Sequence, residues 1–177
     1  MAFSRDGRPK PAPEGWAAGL HSFGHRNIQG AVFDDKGAFW VVEHGAKGGD
    51  ELNRVEAGRN YGWPVISYGV DYSGAKIGVG TEAPGLEQPV HYWDPSIAPS
   101  GLMSYQGALI PGWRGSLLTG SLKFGQIHRL DPSRGFAEEI LKGAATARLR
   151  DLREGPDGAI WFLSVGQGAL YRMAPPK

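Results

Sequence analysis

Polar side chains crowd into the short stretch GHRNIQG, which runs from Gly24 to Gly30. Asn27 and Gln29 are two residues apart, so on an extended segment both would point to the same side. Their amides can donate hydrogen bonds to ligand oxygens, and Arg26 adds a cation beside them. We expect a recognition segment for an anionic ligand; a polar turn is the alternative interpretation.

A second stretch, EHGAKGGDE at residues 43–51, combines glycines with two carboxylates, Asp50 and Glu51. Calcium accepts carbonyl and carboxylate oxygens, and glycine lets the backbone approach closely. The stretch therefore predicts a site for a hard cation, although its spacing is not that of an EF-hand loop. The alternative is a solvated turn, or an ion pair with Lys47 or Arg54.

Three further cations are candidates for binding an anion. In ARLRDL, Arg148 and Arg150 are two apart, so an extended segment would point both to one side. Lys123 lies in GSLKFG, where we expect a mid-strand position between apolar neighbours. Burial of a lysine there would be costly unless its ammonium has a partner. Arginine forks match carboxylates bidentately, and lysine adds a point charge. The alternative is ordinary surface charge.

The composition argues against several other kinds of ligand and site. The chain has 19 basic and 18 acidic residues, and the resulting net charge of +1 creates no global field for nucleic acid or anionic membranes. The absence of cysteine excludes disulfides, thiolate metal sites and cysteine nucleophiles. No stretch approaches the ~20 apolar residues of a membrane span. No hydrophobic signal region follows Met1.

The same composition predicts an all-β fold. The 177 residues are enough for one domain with a real core. They include 28 Gly and 13 Pro, which mark turns, together with six Trp and six Tyr, which favour strands. Helical periodicity is almost absent, and the best helix candidate is the short stretch from Phe136 to Leu141.

Three segments repeat a turn followed by an apolar strand: residues 34–45, 111–131 and 155–173. Gly115 and Gly158, in the last two segments, are 43 positions apart. Repeats of ~40–50 residues with several strands each are typical of β-propeller blades. The chain is long enough for about three blades, whereas closed propellers need ~4–8. The repeats therefore predict a partial propeller, or a chain that pairs with another copy.

Six motifs occur in an order that resembles the soluble glucose/sorbosone dehydrogenase family, especially its bacterial aldose sugar dehydrogenases. They are GHRNIQG, EHGAKGGDELN, NYGWP, DPSIAPSG, GSLKFGQIHRL and RLRDLREGPDG. The chain is similar to the C-terminal half of such a quinoprotein, from about Gly24 onwards. We therefore expect residues 24–177 to form that half, and residues 1–23 to be an incomplete leading blade strand or a linker.

The resemblance implies a six-bladed β-propeller of the quinoprotein type that binds pyrroloquinoline quinone (PQQ) and calcium at one end of its channel. It further implies oxidation of aldose sugars at C1 to lactones, in the periplasm or outside the cell. PQQ carries three carboxylates on a planar ring system, which suits the cations described above. Of such a six-bladed propeller, this chain would supply about three blades.

The resemblance also assigns residues to PQQ. Arg26 would sit over the reactive quinone carbonyl and stabilise negative charge as hydride arrives, as in an oxyanion hole. Trp93 and Ser96 match a channel-end loop near the cofactor, with one extra residue between them relative to some members; a structural anchor is the alternative for Trp93. The remaining cofactor contacts implied are Asn27, Gln29, Lys123, Arg148 and Arg150.

Two calcium sites are implied in the same way. The backbone carbonyls of Gly45 and Ala46 would coordinate the calcium that also binds PQQ. Relatives often have proline in place of Ala46, a change that affects loop rigidity more than ligation. Asp50 and Glu51, with the carbonyl of Tyr61, resemble a second, structural calcium site.

The family's base, a histidine from the N-terminal half, has no counterpart among the five histidines here, which are His21, His25, His44, His91 and His128. We expect His25 to be structural and hydrogen-bonded at a blade edge.

An N-terminal half or a second copy of the chain would complete the propeller. Two other functions stay open: a non-catalytic half-propeller that binds or self-assembles, and a calcium-dependent lactonase-like propeller hydrolase. The cation cluster opposes the hydrolase, because those cations need an anionic ligand.

Overall fold

The computed structural model describes residues 1–176, so the last residue of the expected domain, Lys177, lies outside the described part. The all-β prediction is confirmed: within the described residues, helical structure is confined to two short 3₁₀ turns, Pro132–Arg134 and Ala144–Thr146. The thirteen strands are β1 Ser22–Phe23, β2 Ile28–Phe33, β3 Phe39–Glu43, β4 Asp50–Val55, β5 Arg59–Asn60, β6 His91–Trp93, β7 Pro99–Ser104, β8 Leu117–Ser121, β9 Gln126–Asp131, β10 Ala137–Lys142, β11 Leu149–Glu154, β12 Ile160–Ser164 and β13 Ala169–Met173.

The prediction that the best helix candidate in the sequence forms a helix was wrong. The stretch from Phe136 to Leu141 falls almost entirely in strand β10, which pairs antiparallel with β9 over six residue pairs, from Ala137 opposite Asp131 to Lys142 opposite Gln126. The pairing gives β10 a hydrogen-bonded neighbour along one edge, and tertiary context of this kind overrides a weak helical tendency.

The strands form three antiparallel sheets and one small parallel pair. Sheet 1 has the strand order β2-β3-β4-β6, sheet 2 the order β10-β9-β8-β7, and sheet 3 the order β11-β12-β13. Strands β1 and β5 pair in parallel beside them. The antiparallel strands follow one another in the chain through short connections, except for the longer excursion between β5 and β6.

The first strands of the three sheets, β2, β7 and β11, lie side by side. Glycines make this approach possible. A Cβ atom at Gly30 in β2 would lie 2.5 Å from the backbone nitrogen of Leu102 in β7. A Cβ atom at Gly101 in β7 would lie 1.9 Å from the Asp151 carboxylate in β11. Neighbouring blades of a propeller have this arrangement.

Two hydrophobic cores fill the spaces between the sheets. Because successive residues of a strand point to opposite faces, Leu117 and Leu118 of β8 enter different cores. The core between sheets 1 and 2 contains Trp40, Val42, Leu52, Trp93, Ile97, Leu102, Leu117 and Leu130. The core between sheets 2 and 3 contains Met103, Tyr105, Leu118, Ile127, Leu149, Leu152, Ile160 and Phe162.

The outer faces of sheets 1 and 3 carry exposed apolar side chains. On sheet 3, the cross-strand partners Leu163 and Leu170 are 46% and 58% exposed. On sheet 1, the exposed ring of Phe33 stacks on Phe39. Within residues 1–176, no helix is long and apolar enough to cross a membrane.

The close approach of β2 and β7 generates a stability prediction. Gly30→Ala places a methyl group against the backbone of Leu102, so the two strands must separate, and we expect a loss of about 2 kcal/mol in the free energy of unfolding. The measurement is urea denaturation of the purified chain. Gly143→Ala is the matched control, because nothing lies within 4 Å of its Cβ and its φ of −168° suits any residue. Equal losses in both variants would contradict the prediction.

Candidate functional site

The segments singled out in the sequence converge at one end of sheets 1 and 2. The backbone N–H of His44 donates to the carbonyl of Asn27 at 3.0 Å, which joins the GHRNIQG stretch to the loop after β3. The imidazole Nε2 of His44 lies 2.7 Å from the carbonyl of Pro99, at the start of β7. The backbone N–H of Lys123 in turn donates to the carbonyl of Ile97 at 3.3 Å. The loop 44–49 is therefore the centre of this arrangement.

The carboxylate of Asp50 ties this loop to the segment before β7. The side chain is fully buried, and its Oδ1 accepts the backbone N–H of Gly45 at 2.9 Å. Its Oδ2 accepts the hydroxyl of Ser96 at 2.7 Å and the backbone N–H groups of Ile97 and Ala98 at 2.8 and 3.0 Å. Asp50 is thus neither solvated nor ion-paired, and four protein donors already use its two oxygens.

The same contacts stabilise an unusual backbone at Ala98, whose φ of 52° lies in the left-handed region. This conformation costs roughly 1–2 kcal/mol for a residue with a Cβ. The bond from the Ala98 N–H to Asp50 offsets that cost and fixes the turn that leads into β7.

At the other end of the loop, Glu43 ties it to the GHRNIQG stretch. Its carboxylate is 3% exposed. Its Oε2 accepts the backbone N–H of Arg26 at 2.6 Å, and its Oε1 lies 2.9 Å from both His25 Nδ1 and Asn53 Nδ2. Sequence reasoning missed Glu43; the signal was a glutamate that ends an apolar strand immediately before a glycine-rich loop.

The guanidinium of Arg26 lies between the loop and two aromatic side chains. Nη1 donates to the carbonyl of His44 at 3.2 Å, Nη2 is 3.5 Å from the Tyr72 hydroxyl, and the group lies over the Trp63 ring at 5.2 Å from its centroid. Its Nε is buried and has no hydrogen-bond partner within the described residues. An orphaned donor of this kind fits an absent acceptor such as a ligand oxygen.

An open groove of about 560 Å³ runs along this end of the molecule. Its lining includes Ser96 and Lys123, together with Tyr72, whose hydroxyl faces Arg26. The other lining residues are His44, Gly45, Ala46, Lys47, Gly48, Tyr68, Gly69, Val70, Asp94, Pro95 and Ala98.

Gly45 is buried at the base of the loop, and only glycine fits there. A Cβ atom would lie 2.1 Å from the carbonyl oxygen of Gly48. Ala46 follows and bridges to Gly48 across the loop. The two residues predicted to offer carbonyls to calcium therefore belong to a tightly closed loop beside the groove.

Asn27 and Gln29 contact each other, as their spacing predicts: Gln29 Nε2 donates to Asn27 Oδ1 at 2.9 Å. Asn27 is exposed and Gln29 is half-buried. Both amides keep further donor and acceptor capacity for a ligand.

Lys123 is not in mid-strand as expected. It is exposed in the turn between β8 and β9, next to the groove, with its ammonium 5.0 Å from the Phe124 ring centroid. Phe124 and Gly125, which follow Lys123, belong to the turn. The apolar neighbours of Lys123 in the sequence had suggested a strand instead. Within residues 1–176 Lys123 has no carboxylate at ion-pair distance.

The expected alternation of Arg148 and Arg150 does not apply. Arg148 precedes β11 with a φ of 48°, and the pairing of β11 with β12 shifts register between Leu149 and Asp151, so Arg150 lies at a bulge. Both side chains are exposed. Neither lines the groove, but the carbonyl of Leu149 between them accepts the hydroxyl of Ser100, which places them at the same end of the sheets.

Trp93 and Ser96 have different surroundings. Ser96 lines the groove. The indole of Trp93 is buried in the core between sheets 1 and 2, and its Nε1 donates to Glu138 at 2.6 Å. Trp93 has the packing role that was the alternative for it, so we leave its side chain out of the site proposed below.

Glu51 and Tyr61 line a second, small cavity on the other side of Arg26. Its volume is about 10 Å³, enough for one water-sized group, and Arg26, Glu43, Gly45 and Trp63 also line it. The hydroxyl of Tyr61 is used elsewhere, donating to the carbonyl of Arg54 at 2.6 Å. No group of three His, Asp or Glu side chains in the described chain is arranged to hold a metal ion.

Burial raises the pKa of Glu51 to about 7, with the nearby charges of Glu43 and Asp50 acting in the same direction. Its Oε2 accepts one hydrogen bond, from Asn53 Nδ2 at 3.1 Å. A carboxylate with this few donors, close to two others, fits a cation. Asp50 has more donors, three of them on Oδ2 and one on Oδ1.

The histidines confirm one expectation. His25 is structural and hydrogen-bonded: Nδ1 faces Glu43, Nε2 is 3.0 Å from the Ser22 hydroxyl, and the ring stacks on Tyr61. His128, the most deeply buried histidine, faces Glu138 at 2.6 Å.

The raised pKa of Glu51 predicts a pH dependence of stability in calcium-free buffer. Between about pH 4.5 and 7 the unfolded chain releases this proton before the folded chain does, so the free energy of unfolding falls as pH rises. Glu51→Gln removes this loss and is more stable than wild type at pH 8, by on the order of 2 kcal/mol. The measurement is urea denaturation of both proteins across this range; a constant difference would contradict the prediction.

The family model for "Glucose / Sorbosone dehydrogenase" matches residues 4–172. An uncharacterized protein of Synechocystis is 41% identical over 93% of this chain and 40% of its own. An aldose sugar dehydrogenase of Escherichia coli is 37% identical over 96% of this chain and 47% of its own. Quinoprotein glucose dehydrogenase B of Acinetobacter calcoaceticus is 27% identical over 88% of this chain and 44% of its own.

Solved structures agree with these relatives. A crystal structure of a glucose dehydrogenase superposes with a TM-score of 0.91 at 38% identity, over 98% of this chain and 54% of that one. The PQQ-bound aldose sugar dehydrogenase of Streptomyces coelicolor superposes with a TM-score of 0.69 at 28% identity, over 92% of this chain and 44% of that one. The chain thus spans about half the length of the relatives it matches, and it belongs to the glucose/sorbosone dehydrogenase family.

Proposed function

We propose that this chain is the cofactor-holding half of a PQQ- and calcium-dependent dehydrogenase that oxidises aldose sugars at C1 to lactones. The observation that carries the proposal is the orphaned, buried Nε of Arg26. Arg26 lines the small cavity and contacts Tyr72 at the edge of the groove, and the exposed Lys123 lines the groove itself. An anionic, oxygen-rich ligand would satisfy both groups. The names of the relatives, an aldose sugar dehydrogenase and a quinoprotein glucose dehydrogenase, support the same ligand and substrate class.

Bound PQQ would supply a quinone that accepts hydride from C1 of the sugar. Lys123, Arg148 and Arg150 would bind its carboxylates, with the arginine pair reaching in from the start of β11. Arg26, fixed against Trp63 and the loop, would stabilise negative charge on a quinone oxygen. Asn27, Gln29 and Ser96 would donate hydrogen bonds at the rim.

For calcium, we propose the carbonyls of Gly45 and Ala46 at the groove, and Glu51 with the carbonyl of Tyr61 at the small cavity. The low number of hydrogen bonds to Glu51 supports this choice. Asp50 joins two loops through its hydrogen bonds, and its part in the second calcium site stays a prediction.

We further propose that sheets 1, 2 and 3 are three blades of a six-bladed propeller, which an N-terminal half completes. The exposed apolar residues on the outer faces of sheets 1 and 3 support this, since neighbouring blades would cover them. The missing base for the C1 hydroxyl proton would come from that half, and a second copy of this chain is the alternative partner. The complete protein would work in the periplasm or outside the cell.

A lactonase-like hydrolase finds less support. It would need carboxylate and amide oxygens directed at one metal, and no group of three His, Asp or Glu side chains within residues 1–176 is arranged in that way. The unpaired cations at the groove would also have no role in it.

The first test is titration of the purified chain with PQQ in the presence of calcium, followed by quinone absorbance and molecular mass. We expect stoichiometric, calcium-dependent binding, which Lys123→Ala weakens by ~10-fold, because a charge-assisted contact to a ligand carboxylate is lost. Lys142→Ala is the matched control, because it removes an exposed lysine from β10, at the outer edge of sheet 2.

Equal affinity of the Lys123 and Lys142 variants would contradict the cofactor assignment. Absence of PQQ binding by a folded wild-type chain would favour the non-catalytic binding module. Where binding occurs, the mass shows whether one chain or two forms the site, and reduction of bound PQQ on addition of an aldose tests the substrate class.

A further inference from the structure

We infer that Glu43 is a positioning residue that fixes the direction of the Arg26 guanidinium, which lies between the small cavity and Tyr72 of the groove. The inference rests on the proposed function, in which Arg26 faces the cofactor. Neither the sequence motifs nor the metal assignments give Glu43 a role of its own.

Arg26 is attached to the end of β3 at two points. Its backbone N–H donates to Glu43 Oε2 at 2.6 Å, and its Nη1 donates to the carbonyl of the next residue, His44, at 3.2 Å. Attachment at both ends of one side chain restricts its rotamers before any ligand arrives. The buried Nε has no hydrogen-bond partner within the described residues.

Glu43 is itself held from two sides. His25 and Asn53 both lie 2.9 Å from Oε1, and the His25 ring is fixed between the Ser22 hydroxyl and the face of Tyr61. The groups around the carboxylate are therefore arranged as donors, and an acceptor-only side chain is the one that satisfies all of them.

This geometry distinguishes two substitutions. Glu43→Gln can keep its amide oxygen on the Arg26 N–H and turn its NH₂ towards His25, whose Nδ1 accepts in the other tautomer. Glu43→Ala leaves the Arg26 N–H without an acceptor. The conservative variant should therefore retain most of the positioning, and the alanine variant should lose it.

The chain offers a matched control at the opposite end of the sheets. There the Glu154 carboxylate accepts the backbone N–H of Gln106, also at 2.6 Å. Glu154→Ala removes the same kind of carboxylate-to-backbone bond without touching the groove.

The experiment measures the PQQ dissociation constant, with calcium present, for wild type, Glu43→Gln, Glu43→Ala and Glu154→Ala, each at a temperature where it is fully folded. Hydrogen exchange of the Arg26 amide is measured on the same samples. We expect ~10-fold weaker binding and faster Arg26 exchange for Glu43→Ala, a change within ~3-fold for Glu43→Gln, and no change for Glu154→Ala.

The outcomes separate the two proposals. Wild-type binding with an unchanged dissociation constant in Glu43→Ala would overturn the positioning role and leave the proposed function standing. Unchanged hydrogen exchange of the Arg26 amide in Glu43→Ala would contradict the hydrogen bond from the Arg26 N–H to Glu43 on which the inference depends. Failure of the wild-type chain to bind PQQ would overturn the proposed function and this inference with it.

Discussion

The site depends on two buried carboxylates at the ends of one glycine-rich loop. Glu43 precedes the loop 44–49 and Asp50 follows it, and within residues 1–176 neither carboxylate is paired with an arginine or a lysine. A buried charge is costly unless donors surround it, and a hydrogen bond to a charged group contributes about 1.5–3 kcal/mol. Here the donors come from separate segments of the chain, Arg26 on one side and Ile97 with Ala98 on the other. Asp50 therefore holds its loop to the segment before β7, and Glu43 holds Arg26 just beyond the end of the β2–β3 pairing.

The sheets supply the rigid frame on which these loops meet. Strands β2, β7 and β11 approach closely because glycine occupies Gly30 and Gly101, where any side chain would strike the neighbouring strand. Sheet 2 is buried on both faces by the two cores, so it cannot shift without losing apolar contacts on either side. As a result, the strand ends that carry the site keep fixed relative positions, and the loops between them need only short-range hydrogen bonds.

Much of this could be predicted from the sequence, because it follows from local rules. Glycine, proline and aromatic residues predicted strands and turns, and the motif order predicted the family. The errors have a common physical origin in contacts between distant segments. Pairing with β9 makes a strand of the helix candidate in β10, and a bulge against β12 displaces Arg150 from simple alternation. For Asp50, the sequence shows a carboxylate but not the four donors around it, and its predicted role as a metal ligand stays a prediction.

The distribution of hydrogen-bond donors also explains how a nearly neutral chain can offer neighbouring sites for a cation and for an anion. Protein N–H and O–H groups surround the carboxylates of Glu43 and Asp50. Glu51 is a buried carboxylate with one hydrogen bond, and Arg26 lines the cavity beside it. A cation bound at Glu51 would cancel the negative charge nearest to Arg26, and Arg26 would then attract an anion in the groove more strongly. The proposed metal and the proposed cofactor would therefore favour each other's binding through this one arginine.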